Sequence, residues 1–119
     1  VDLVPLVVGD ASPASVELVL SLLWGGDETL LVVSTDLSHY LPWEVARVSD
    51  ERAARQIEAG MHVEPHQACG AYALNGLLRV ARKRALVVER LDLRSSGDTC
   101  GGRDRVVGYG AFALHEARP

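Results

Sequence analysis

The pattern of apolar and polar positions changes period along the chain, and each change marks an element. Leu3 to Val8 and Thr29 to Ser34 are short, nearly continuous apolar runs rich in β-branched residues. Such runs read as strands buried on both faces of a parallel sheet, with Pro5 marking a strand start or an edge position. Between them, Ser12 offers a capping hydroxyl ahead of Pro13, a residue tolerated at the first helical position. Val16, Val19, Leu20 and Leu23 then share a helical face, and Gly25-Gly26 closes the segment after Trp24. Strand, helix, strand in this spacing predicts a right-handed βαβ crossover.

The second half of the chain alternates differently. Pro42 suits a first helical turn, and Ser49-Asp50-Glu51 reads as a cap with acids behind it, leading to a stop at Gly60. A further helix is expected from Pro65 or His66 to Lys83, with Cys69, Tyr72, Ala73, Gly76, Leu77 and Val80 on one face. That placement puts Cys69 in a first turn, pointing inward. Ala85 to Arg94 and Arg105 to Leu114 read as two strands joined by a Gly-rich loop around Gly97 to Gly102, more simply a hairpin connection than an anion cradle. The expected fold is α/β: a parallel βαβ core, additional helices and a terminal antiparallel strand pair.

At 119 residues, with no internal repeat or linker, the chain is expected to form a single domain spanning 1–119. Twelve Lys and Arg against sixteen Asp and Glu give a formal net charge of −4, which argues against a phosphate-driven nucleic-acid partner. Arg79, Arg82, Lys83 and Arg84 fall at a helix end, where cations complement the last carbonyls. Cys69 and Cys100 form no disulfide-like framework, no run spans a bilayer, and no signal segment opens the chain, so a cytoplasmic location without membrane contact is expected. The chain opens on Val1, in mid-strand character, so an upstream portion is expected to precede it.

The candidate chemistry lies directly behind the second apolar run, in Ser34-Thr35-Asp36-Leu37-Ser38-His39-Tyr40-Leu41-Pro42. Open α/β sheets place ligands at the carboxyl ends of their strands. His39 is the candidate general acid/base, because an imidazole exchanges a proton near neutral pH, and Asp36 is its candidate orienting partner. The plainer alternative has Asp36 and Ser38 capping a turn and His39 satisfied in the interior. Cys69 is the candidate metal ligand or nucleophile; as a lone cysteine on an apolar face it also reads as a small buried hydrophobe. A local site from His62, His66 and Cys69 is disfavoured, because Pro65 interrupts the helix that would align the two histidines.

The stretch from Ser34 to Pro42, then Ala68-Cys69-Gly70, Ser95-Ser96-Gly97-Asp98 and Val106-Val107-Gly108-Tyr109-Gly110-Ala111, resembles in order the signature blocks of the MEMO family, also named AmmeMemoRadiSam system protein B. The resemblance covers the whole chain but only the carboxyl-terminal half of that family. It implies half of a fold like the class III extradiol dioxygenases, with a non-haem metal at the ends of sheet strands. By the same resemblance His39 and Asp36 take the catalytic acid/base positions, Cys69 is a metal ligand, and Ser38 and Tyr40 beside them are candidate substrate contacts. The family's two metal-binding histidines have no counterpart here, so a transition metal (iron, copper or zinc) needs ligands outside this chain, and the isolated chain is expected to be inactive. A thiolate in place of a carboxylate favours copper or zinc over iron(II) and is itself oxidisable.

The expected function is therefore a metal-dependent redox or dioxygenase-like pocket completed by an amino-terminal half, acting on a small-molecule or peptide ligand. The alternative is a non-catalytic binding module using the same cleft. The resemblance also implies AMMECR1-like and radical-SAM partners, and the apolar runs imply self-association of the isolated chain.

Overall fold

A computed structural model describes residues Val1–Pro119. Helix α1 spans Pro13–Leu22, strand β1 His39–Leu41, helix α2 Trp43–Glu58, helix α3 Ala71–Lys83, strand β2 Leu86–Ser95 and strand β3 Val106–Glu116, with a 3-10 turn at Ser96–Asp98. The three strands form one sheet in the order β1-β3-β2, and both pairings are antiparallel. No helix is long and apolar enough to cross a membrane.

This corrects the expected parallel βαβ core. Neither Leu3–Val8 nor Thr29–Val33 belongs to a strand of the sheet. An apolar run becomes a buried strand only where neighbouring strands offer their amides, and no strand of this chain lies beside these two. Leu3, Leu30 and Val32 are consequently 86%, 85% and 78% exposed. Val33 alone reaches the core.

The helices follow local chemistry closely. Ser12 Oγ accepts the Ser15 N–H at 3.1 Å and Pro13 occupies the first turn, fixing the start of α1. Helix α2 is continuous from Trp43, so Ser49, Asp50 and Glu51 lie inside it rather than capping it. It ends at Gly60, whose φ of 67° lets the Gly60 and Met61 amides reach back to the Ile57 and Gln56 carbonyls in a Schellman arrangement. Helix α3 starts at Ala71, later than the sequence pattern suggests, because Gln67 and Ala68 donate their amides to the Glu64 carbonyl in a separate turn.

The core lies between the sheet and the helices α2 and α3: Leu37, Ala53, Ile57, Val63, Ala68, Ala71, Leu74 and Leu78 form one cluster, with Val88, Leu93 and Phe112 of the sheet packed on it. Helix α1 packs on α3 at Gly76, where a Cβ would run into the Val16 side chain. The same contact is clamped by buried Glu17, which pairs with Arg79 and Lys83 one helical turn apart. These cations, Lys83 foremost, hold the Glu17 carboxyl below its ordinary range.

Asn75 ties α3 to the segment that carries Cys69. Its Oδ1 accepts the Val63 N–H and its Nδ2 donates to the Val63 carbonyl, each at 2.8 Å, and both residues are buried. Asn75→Ala strands both backbone groups away from water, and a loss of about 2 kcal/mol or more is expected. Chemical denaturation of the two proteins measures it; a loss below about 0.5 kcal/mol would show that water reaches Val63.

Candidate metal centre

The chemistry-bearing residues meet where the short edge strand β1 approaches the turn before α3. Leu37 donates its amide to the Gly108 carbonyl and Gly108 donates to the Ser38 carbonyl, both at 2.8 Å, so the ladder between β1 and β3 extends back to Leu37. The paired segment stops there, and Asp36 is free to turn toward Cys69.

That turn is held by the backbone and by sulfur. The Cys69 N–H donates to the Asp36 carbonyl at 3.2 Å, and the Asp36 N–H donates back to Cys69 Sγ at 3.3 Å. Thr35 Oγ1 donates to the Asp36 carbonyl, accepts the Gly70 N–H at 2.8 Å and lies 3.7 Å from Cys69 Sγ. Residue 70 must be glycine for this approach: a Cβ would fall 2.6 Å from Thr35 Cβ and 2.8 Å from the Ser34 carbonyl oxygen. The sulfur lies at the surface, and Cys69 and Cys100 are both free thiols.

Around this stitch, one donor atom each from Asp36, His39 and Cys69 lies within 4.8 Å of the others. His39 Nε2 is 3.7 Å from Asp36 Oδ2, and both side chains are about half open to solvent. Carboxylate, imidazole and thiol together are a borderline-soft donor set of the kind that zinc, copper and iron accept. Donor atoms within 4.8 Å of one another are close enough to share one ion bound at about 2.0–2.3 Å. The residues present therefore fit a transition metal.

Of the other sequence candidates, Tyr40 is exposed and held at a φ of 60°, its ring 5.7 Å from that of His39 and under the Arg105 guanidinium at 5.1 Å. A tyrosine in the left-handed region costs about 1 kcal/mol or more and persists only where its surroundings impose it. Ser38 is 1% exposed; it gives its N–H to Asp50, and its hydroxyl makes no well-formed hydrogen bond. His62 pairs with Glu64 at 3.5 Å and, with His66, stands outside the cluster. Cys69 is not in the first turn of α3 and does not point inward, correcting the sequence expectation: Gly70 is the N-cap, so the cysteine precedes the helix.

Three residues of the site escape the sequence pattern. Thr35 and Gly70 lie inside the blocks quoted above, but the bond that joins them crosses thirty-five positions of chain, and no local pattern shows it. Asp50 did leave one. It is an acid on the stripe Ala46, Asp50, Ala53, Ala54 and Ile57, the buried face of α2. Burial pushes its carboxyl above the ordinary range, partly offset by the Ser38 amide. On the far side of β3, the Ser96–Asp98 turn is anchored to α2: Trp43 Nε1 donates to Asp98 Oδ1 at 2.7 Å, with Arg47 and Arg103 stacked over the indole at 4.6 and 4.0 Å. That bond, more than any other contact, lowers the Asp98 carboxyl.

Comparison with known proteins gives one consistent signal. A MEMO1 family protein of Metallosphaera sedula is 29% identical over 121 residues, covering 90% of this chain and 43% of its own length. A MEMO1 family protein of Pyrobaculum arsenaticum is 30% identical over 99 residues, covering 76% of this chain and 35% of its own. The chain thus spans about two fifths of the length of the curated relatives it matches. No family model and no solved structure matches it. The chain is a distant relative of the archaeal MEMO1 family proteins.

Proposed function

We propose that the chain carries a transition-metal site built on Asp36, His39 and Cys69, serving a MEMO-like redox or dioxygenase-like pocket on a small-molecule or peptide ligand. The observation that carries this reading is the convergence of the three donors within 4.8 Å from two segments far apart in sequence. The distant MEMO1 relatives support it. Because the chain covers only part of those relatives, further ligands and the other wall of the pocket come, in this proposal, from outside it. The carboxyl-terminal-half correspondence, a cytoplasmic location and AMMECR1-like or radical-SAM partners belong to the same proposal.

A bound metal supplies Lewis acidity and, for copper or iron, one-electron redox chemistry. The chain's own residues do the rest. Cys69 offers a sulfur ligand kept in place by the Asp36 amide. Asp36 and His39 either complete the donor set or, with other ligands present, work as a pair in which the carboxylate orients the ring and Nε2 carries a proton. Tyr40, exposed beside His39, is the apolar surface on which a ligand rests.

Titration of the purified chain with cobalt(II) tests the reading. Asp36, His39 and Cys69 supply three donors, enough for one equivalent to bind with solvent in the positions that outside ligands would otherwise fill, and a sulfur-to-cobalt charge-transfer band in the near ultraviolet is expected. A folded chain that shows neither stoichiometric binding nor that band overturns the metal site and leaves the non-catalytic ligand-binding module.

A further inference from the structure

We infer that Asp50 is the positioning residue of the Asp36, His39 and Cys69 cluster, acting through the backbone of Ser38. This inference rests on the metal-site reading above and concerns a residue that touches none of the three donors.

Four observations converge on it. Asp50 is 4% exposed, the one acid on a helix face otherwise made of Ala46, Ala53, Ala54 and Ile57. No Lys, Arg or His lies within ion-pair distance of its carboxylate, although Arg47, Arg90 and Arg94 border the same groove between α2 and β2. A buried carboxylate without a cation is costly, so it contributes through the bond it makes rather than through charge pairing. That bond is the Ser38 N–H to Asp50 Oδ1 at 2.9 Å.

The third observation is a matching vacancy on the sheet. Any Cβ at Gly108 would run into the Asp50 carboxylate, so the acid on α2 and the glycine on β3 form a complementary pair. The fourth is where the bond acts. Ser38 lies between Asp36 and His39, its carbonyl accepts the Gly108 N–H, and Leu37 donates to the Gly108 carbonyl. With the Asp50 bond, both polar backbone groups of Ser38 are occupied. The spacing of Asp36 and His39 is then set by a segment gripped between helix and sheet. Without Asp50, the buried Ser38 amide has no acceptor and the segment must shift to find one.

Groups that orient metal ligands from behind typically change metal affinity about 10–100-fold when removed. Asp50→Ala is expected to weaken cobalt(II) binding by about that factor, and to speed hydrogen exchange at the Asp36 and Gly108 amides while the amides of α3 keep their protection. Asp50→Asn keeps an acceptor for the Ser38 amide and is expected to restore affinity to within about threefold. A role confined to stability would lower the melting temperature but leave the affinity and charge-transfer band of the folded protein unchanged, and that result overturns the inference. If Asp50→Ala does not fold, Asp50→Ser, too short to reach the Ser38 amide, carries the same comparison. A wild-type chain that binds no cobalt removes the metal-site reading; the exchange experiment still decides here, because unchanged Asp36 and Gly108 protection in Asp50→Ala overturns the positioning role by itself.

Discussion

Cys69→Ala is expected to lower the cobalt(II) affinity of the chain by at least about a hundredfold and to abolish the sulfur-to-cobalt band, with little effect on stability. Both halves of the expectation come from the geometry. The sulfur is the softest of the three donors and the one that a hydrogen bond from the Asp36 amide already holds in position. Cys69 is exposed, so its removal opens no cavity, and the Asp36 amide that loses its sulfur acceptor can turn to water, so the change in unfolding free energy should stay within about 1 kcal/mol. His39→Ala should weaken binding by at least about tenfold, since it removes the one nitrogen donor and leaves a carboxylate and a thiolate. Cys100→Ala is the control, because Cys100 is an exposed free thiol outside the cluster. Equal affinities for Cys69→Ala and Cys100→Ala would remove the thiolate from the site.

Gly108→Val is expected to destabilise the protein by about 3 kcal/mol or more, a fall of roughly 10 °C or more in melting temperature for a chain of this size. The added Cβ meets both oxygens of a buried carboxylate, and neither side can yield easily. Asp50 is anchored in the middle of α2, and Gly108 exchanges backbone bonds with Leu37 and Ser38. The pair Gly108→Ala and Asp50→Ala separates overlap from a general intolerance of β3. Placed together, the two changes should cost less than the sum of each alone, because removing the carboxylate vacates the space that the new methyl needs. Additive losses would show that the strand, not the carboxylate, sets the requirement for glycine.

Much of the helical framework was legible because its signals are local. Ser12 with Pro13, the stop at Gly60 and the basic end of α3 at Arg82 and Lys83 all act within a turn or two of themselves. The apolar runs at Leu3–Val8 and Thr29–Val33 misled for the opposite reason. Burial in a sheet is a property of neighbours, and a run of valines and leucines records only what the segment would do if they were present. Ser49-Asp50-Glu51 reads as a helix start for a related reason. An acid following a serine carries a cap signature, and only the helical register of Ala46, Ala53 and Ile57 shows that it lies on the inner face. The nine residues from Ser34 to Pro42 marked one side of the site, and the Cys69 block the other. Their meeting depends on Thr35 and Gly70, one in each block, whose bond to each other no local pattern shows.

The bond between the Asp36 amide and Cys69 sulfur spans 33 positions of sequence, and the whole of α2 lies within that span. An ion held at both ends would therefore act as a staple on a loop that includes one complete helix and the Asp50 wedge. Such a cross-link restricts the unfolded chain more than the folded one, as a disulfide across the same interval would. In the metal-loaded protein the binding free energy then adds to the cohesion of the layer formed by β1, α2 and the turn before α3, over and above what the metal-free chain possesses.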